Sequence, residues 1–153
     1  MKTLLVPLDF SDITDLLIGK AVEIARPLEA KIVLLHIVEP VANYVPVGAT
    51  MDVIAAVPPI AETNEGVTGH EKHLNELAEP LRAMGLEVEG ISLVGLAVDD
   101  IVDQAAKRKA DFIILGSHGH GALYHLFSGS VVTGVLQRAG CPVIVVPAKK
   151  ARS

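Results

Sequence analysis

The 153-residue chain has no tryptophan, a single cysteine and only 3% aromatic residues. Without large rings to fill it, the interior has to be built from Val, Ile, Leu and Ala, and apolar residues make up half of the chain. A length of 153 suits one domain, which at that size buries roughly two thirds of the surface its unfolded chain exposes. The lone Cys141 excludes an internal disulfide and fits a reducing compartment. Placed just before an apolar run, it reads as a small buried residue. No apolar run reaches the roughly 18 residues of a membrane span. The apolar start of the chain is broken by Pro7 and Asp9, too soon for the apolar region of a signal peptide, so a cytoplasmic location is expected. Positive charge is scarce too: 13 Lys and Arg stand against 18 Asp and Glu, a net charge of −5. A nucleic-acid reader usually shows a basic face. None is visible here, and residues 149–153, with Lys149, Lys150 and Arg152, read as a short basic tail behind a single domain at 1–148.

What the chain does have is alternation. Thr3–Leu8 is a short apolar run, a buried strand. Ser11 stands where an N-cap belongs, with Asp12 and Asp15 in the first turn of the helix it would open. Ile13, Leu16, Leu17, Ala21, Ile24, Ala25 and Leu28 give that helix an inward stripe. Ile32–Val38 is a second strand, and the βαβ unit so formed is parallel by default. From Glu39 to Glu65 the pattern breaks around Pro40, Pro46, Pro58 and Pro59, a long segment in which Met51–Val57 is compatible with a short helix. Val67, Leu74, Leu77, Leu81 and Met84 mark a helix ending at Gly85, with Pro80 expected to bend it. Leu86–Val94 alternates in part, as an edge strand does. Val98–Lys109 is a helix with acidic residues early and basic ones late, which suits its dipole. Phe112–Leu115, Ser130–Ala139 and Val143–Val146 then read as strand, helix and strand. Five strands alternating with four helices predict an open parallel α/β sheet covered on both faces. Ligands of such sheets bind at the carboxyl ends of strands, where strand order reverses.

The densest signal is a split glycine pattern, Gly116-x2-Gly119-x9-Gly129-Ser130, between the fourth strand and its helix. Glycine lets backbone approach a ligand closely. The free N–H groups of the helix's first turn, together with its dipole, favour an anion there, most often phosphate. Ser130 adds a hydroxyl donor. There is no G-x-x-x-x-G-K-[ST], so this is not a P-loop. Because the glycines are split, two backbone segments would approach one ligand from two sides.

This spacing, with Phe112–Leu115 before it and Cys141-Pro142-Val143-Ile144-Val145-Val146 after it, resembles the universal stress protein family. Its nucleotide-binding members carry G-x2-G-x9-G-[ST]. Pro7-Leu8-Asp9-Phe10-Ser11 resembles the family's P-x-D-F-S opening, in which the Asp lies at the nucleotide. The likeness covers nearly the whole chain. It implies an adenine nucleotide alpha hydrolase-like, Rossmann-like sheet of order 3-2-1-4-5. It implies ATP or another adenine nucleotide as ligand, with Mg²⁺ or Mn²⁺. Pro7 and Ile37 would line the adenine, and Asp9 would accept hydrogen bonds from the adenosine half. Leu115, Gly116, Gly119, Gly129, Ser130, Val131 and Val132 would complete the site. The family role is a dimeric, nucleotide-dependent switch in the stress response, joined through the last strand. Val143–Val146 itself points the same way: it is an apolar edge whose lysines come only after it, and such an edge invites pairing with a second copy across a two-fold axis.

The chain departs from the family in places. His120 and His125 stand where many members have basic residues, after the second glycine and before the third. Gly129-Ser130-Val131-Val132 replaces G-S-V-[ST], moving a hydroxyl to Thr133, and Gly95-Leu96-Ala97 replaces G-x-P. No nucleophile–base pair can be named: Ser130 has no assignable base, and Asp99 and Asp100 are first-turn charges. No catalytic residue is therefore assigned, and turnover is expected to be slow at most. His118, His120 and His125 in the loop, and His70 and His73 on one helix, are candidates for zinc, which needs three or four ligands. They read instead as polar loop and helix-surface residues, and no metal ligand is assigned. His36 reads as a satisfied core residue. An alternative is an enzyme, a nucleotidyltransferase of related α/β architecture, since His118-Gly119-His120 is similar to H-x-G-H. That motif belongs beside the first strand, however, and here it follows the fourth. A receiver-like signalling domain needs an Asp ending a central strand, where this chain has Leu115-Gly116.

Overall fold

The computed structural model describes residues 1–39, 64–117 and 130–148. Strand β1 (Thr3–Pro7) leads into helix α1 (Thr14–Leu28) and strand β2 (Lys31–Val38). Helix α2 (Asn64–Ala83), strand β3 (Val88–Val94), helix α3 (Ala97–Lys107) and strand β4 (Phe112–Ser117) follow. Helix α4 (Ser130–Arg138) and strand β5 (Val143–Pro147) close the described chain. The strands form one parallel sheet of order β3-β2-β1-β4-β5, the order the family resemblance implies. Leu86–Val94 is thus an edge strand as its partial alternation predicts, although pairing starts at Val88. The Glu39–Glu65 segment lies almost wholly outside the described residues, and with it the short helix expected at Met51–Val57. The 149–153 tail lies outside them too.

Successive residues of each strand serve opposite faces, so two apolar layers form. Leu4, Val6, Ile32, Leu34 and Ile114 pack under α1 and α2 against Leu17, Ala21, Ala25, Leu74 and Ala78. Leu5, Val33, Leu35, Ile113 and Leu115 pack under α3 and α4 against Ile101, Ala105 and Val135. The central strands are buried on both sides, which is why they read as unbroken apolar runs. Close packing sets small residues where helices touch the sheet. A Cβ on Gly90 would lie 2.8 Å from Leu74 Cβ, so the β3–α2 contact depends on its absence.

Three helices end alike. Glu29 (φ 49°), Gly85 (φ 83°) and Lys109 (φ 52°) are left-handed, and the next residue's N–H reaches back into the last turn. Those bonds are Ala30 to Ala25, Leu86 to Leu81 and Ala110 to Ala105, at 3.0, 3.2 and 2.8 Å. Each satisfies carbonyls the helix would otherwise leave bare. Gly85 ends α2 as expected, with Pro80 inside a helix that continues to Ala83.

The start of α1 corrects the sequence reading. Ile13, not Ser11, is the cap residue, and it makes no side-chain capping bond. The Ser11 N–H is taken by the Asp9 carboxylate at 3.1 Å, and the Ser11 carbonyl accepts from Thr14 N at 3.1 Å, so a turn precedes the helix. Asp15 alone remains in the first turn. The inward stripe also shifts: Thr14, Leu17, Ile18, Ala21 and Ala25 are buried, whereas Leu16 and Leu28 are exposed.

Candidate functional site

The site begins with a fork in the sheet. β1 stays paired with β2 up to Pro7, opposite Leu35, but pairs with β4 only at Leu4 and Leu5. β4 meanwhile keeps to β5 as far as Ser117, opposite Pro147. Leu8 N–H bonds Leu35 O at 2.7 Å, so by alternation the missing N–H of Pro7 falls on the β4 side, where no ladder bond is lost. The two strands therefore part at their carboxyl ends, at the point where strand order reverses.

A pocket fills the fork. Pro7, Leu8 and Asp9 line it from β1 and the turn after it, and Leu115 and Gly116 from β4. Leu35, Ile37 and Glu39 come from β2 and its end, and Ile13, Thr14 and Leu17 from the start of α1. Ala97 and Ile101 of α3 and Val131 and Val132 of α4 close the wall. The lining is mostly apolar. Its charges, among the described residues, are the carboxylates of Asp9 and Glu39 and no cation.

Two helix N-termini face this space, in different states. At α3, Leu96 N–H bonds Asp100 Oδ2 at 2.7 Å and Ala97 N–H bonds Glu39 Oε1 at 3.2 Å. That terminus is already satisfied by carboxylates. α4 has no acidic residue in its first turn, and Val131 and Val132 there line the pocket. Chemically the pocket is thus polarised. A ligand's amino or hydroxyl donors suit the Asp9 and Glu39 end, and an anion suits the α4 end.

The turn carrying Asp9 is held from behind. His36 Nδ1 lies 2.8 Å from Leu8 O; a carbonyl only accepts, so Nδ1 carries the proton and donates. Phe10 has φ 58°, a left-handed conformation that costs a non-glycine residue roughly 1–2 kcal/mol. Its ring stacks on His36 with centroids 4.3 Å apart, and His70 and His73 approach it at 5.7 and 4.7 Å. His70 and His73 are therefore more than helix-surface residues. His36 is a satisfied residue as expected, though half-buried rather than fully in the core. Burial pushes its pKa below the usual histidine value, against the Leu8 hydrogen bond, which favours the charged form. Among the described residues no three His, Cys, Asp or Glu side chains converge to hold a metal.

The family profile of universal stress proteins matches residues 1–147. The chain belongs to the universal stress protein family. Two relatives from Methanocaldococcus jannaschii extend over nearly all of it. Universal stress protein MJ0577 is 30% identical over 161 residues, covering 97% of this chain and 96% of the relative. Universal stress protein MJ0531 is 28% identical over 151 residues, covering 97% and 84%. A solved structure of MJ0577 aligns with a TM-score of 0.73 at 28% identity, over 98% of each chain. Universal stress protein UspA from Lactobacillus plantarum aligns with a TM-score of 0.72 at 25% identity, over 95% of this chain and 97% of that one.

Of the residues expected at a ligand, Pro7, Asp9, Ile37, Leu115, Gly116, Val131 and Val132 come together around this one pocket. Gly119 and Gly129 lie outside the described residues, as do His118, His120 and His125. Ser130 opens α4, but its side chain is likewise outside the description. Leu8, Ile13, Thr14, Leu17, Leu35, Glu39, Ala97 and Ile101 also line the pocket and were not expected there. The Ile13–Leu17 spacing was legible as a buried stripe, but nothing local says that a stripe's first turn faces a pocket rather than the core. Glu39 carried no signal at all.

Proposed function

We propose that this chain is an ATP-binding universal stress protein, a cytoplasmic homodimer that switches with adenine nucleotide in the stress response. One observation carries the reading: the fork between β1 and β4 gathers Pro7, Asp9, Ile37 and Gly116 around a single polarised pocket. The adenine would lie on the apolar side near Pro7 and Ile37, the ribose or amino donors at Asp9, and the phosphates at the start of α4. Gly119, Gly129 and Ser130 would supply backbone and hydroxyl donors to the phosphates. Mg²⁺ or Mn²⁺ would arrive with the nucleotide, supplying charge neutralisation at its phosphates.

Two structures of the same fold are consistent with this. One universal stress protein was solved in complex with cAMP, at 24% identity and a TM-score of 0.67. One from Archaeoglobus fulgidus was solved in complex with dAMP, at 23% and 0.61. At those identities they speak to the fold, which in those proteins holds an adenine nucleotide.

Isothermal titration with ATP–Mg²⁺ tests the reading, with GTP–Mg²⁺ as the comparator. Saturable binding that prefers ATP is expected. Absence of heat at millimolar nucleotide, on folded protein, would overturn it. No nucleophile–base pair is assigned, and turnover is expected to be far below the enzyme median of roughly 10 s⁻¹.

A further inference from the structure

Leu8 and Phe10 flank Asp9, and one side chain holds both. His36 donates from Nδ1 to the Leu8 carbonyl at 2.8 Å and carries the Phe10 ring on its face at 4.3 Å. Phe10 is in a left-handed conformation, spanned by the Asp9–Ser11 hydrogen bond and braced by its ring contacts. His70 adds a second layer, 4.6 Å from His36, and His73 meets the Phe10 ring edge-on at 4.7 Å. On the pocket side, Asp9 lines the cavity and accepts the Ser11 N–H.

We propose that His36 is a positioning residue of the pocket, holding the Asp9 carboxylate in place through Leu8 and Phe10 while its imidazole is uncharged. The proposal rests on the reading that Asp9 meets the nucleotide. With Nδ1–H committed to Leu8, a second proton would go on Nε2. The groups around His36 decide whether it can. The turn after β1 contributes Asp9, which favours the charged form. α2 contributes His70 and His73, which oppose it, and His73 itself lies 3.6 Å from Glu76. β3 sets Ser92 opposite His36, buried and uncharged. Burial opposes charge most strongly, and the balance lowers the pKa below the ordinary 6.5.

The sign follows. A histidine whose folded pKa is depressed keeps its full contribution above the unfolded value and loses it as pH falls through the folded one. The neutral imidazole therefore contributes in full at neutral pH, and its contribution is lost as the pH falls below. Charging it works against its burial first and against His70 and His73 next, which loosens the turn that carries Asp9.

The test uses the full chain and three proteins: wild type, His36→Ala and His36→Asn, whose amide stays neutral and can still donate to Leu8 O. ATP–Mg²⁺ affinity is measured at pH 7.5 and 5.5, and the Ser11 amide resonance is followed over the same range without nucleotide. The wild type is expected to weaken more than His36→Asn on acidification, by less than about tenfold, the most that a histidine of ordinary pKa gives between these two pH values. His36→Asn should recover most of the affinity that His36→Ala loses at the higher pH. The wild-type Ser11 amide should shift with a midpoint below the ordinary histidine value and be flat in His36→Asn. Identical pH profiles in wild type and His36→Asn, with a flat Ser11 amide, overturn the proposal. If ATP binds none of the proteins, the nucleotide reading fails and the Ser11 titration alone decides the positioning. If His36→Asn does not fold, the wild-type Ser11 and His36 resonances must share one midpoint, and separate midpoints overturn it.

Discussion

Gly116→Ala separates what the fold needs from what the pocket needs. Gly116 lies in β4 opposite Val146, outside the left-handed region, so its backbone accepts alanine. The new Cβ would overlap the Cδ1 methyl of Ile13 and stand 3.3 Å from its Cγ1, while Leu17 Cδ2 at 3.8 Å stays in ordinary contact. The obstacle is the end of a flexible side chain, not backbone. Rotating Ile13 aside costs about 0.5–1.5 kcal/mol if it leaves a preferred rotamer. Alanine returns about 0.4–1 kcal/mol by restricting the unfolded chain. The net loss of stability is therefore about 1 kcal/mol or less, or roughly 2–4 °C in a domain of this size. The pocket fares worse, because Ile13 and Gly116 both line it. An extra methyl in a binding pocket is worth about 1–3 kcal/mol, so ATP affinity should fall about tenfold or more.

The Ile13→Val substitution supplies the control. It removes Cδ1, the overlapping atom, at a cost of about 0.5–1.5 kcal/mol on its own. In combination with Gly116→Ala it should restore affinity, and the stability losses should be less than additive by about 0.5 kcal/mol or more. Thermal melts read the stability arm and calorimetric titration the affinity arm. A double variant whose losses are the plain sum of the singles would refute the steric argument. A Gly116→Ala protein with lowered melting temperature and unchanged affinity would make the glycine structural only.

Gly95→Ala should destabilise by about 0.5–2 kcal/mol, because its Cβ would stand 2.8 Å from Asp100 Cγ and drive that carboxylate off the Leu96 N–H it caps. Asp100→Ala added to Gly95→Ala should then cost little more in urea unfolding, and a fully additive cost would refute the link. Val145→Lys should convert a dimer to monomer by light scattering, since Val145 is 37% exposed on β5, at the edge of the sheet. A wild type that is monomeric at tens of micromolar would remove the dimer, and a variant that stays dimeric would move the interface elsewhere.

The alternation of strands and helices was legible because each element is written in a short window. Ile32–Leu35 is apolar throughout because both its faces are covered, and Ala97–Lys107 has Asp99 and Asp100 in its first turn and Lys107 in its last, the ends its dipole favours. Gly85 marked the end of α2 for the same local reason. Ser11 shows where local reading breaks: its residue type suits a cap, but a turn closed by Thr14 N–H on the Ser11 carbonyl comes first and the helix starts after Ile13. Two good local solutions competed, and the turn that serves the strand end prevailed.

The glycine spacing and the Pro7–Ser11 stretch pointed to one ligand, because backbone approach and strand-end carboxylates are chemistry that residue types carry by themselves. Which other residues share the pocket depends on where separate windows meet. Ile13, Ile37, Ala97 and Gly116 converge because β1 leaves β4 after Leu5 while keeping β2, a choice made by sheet pairing and not by any one segment. The same holds for Phe10, His36 and His70. Each alone reads as an ordinary core or surface residue, and only the packing of α2 over β2 sets the imidazoles behind Asp9. Local sequence determined the elements, since propensity and periodicity act over a few residues. Tertiary pairing decided which side chains became neighbours, since that is settled by contacts between segments tens of residues apart.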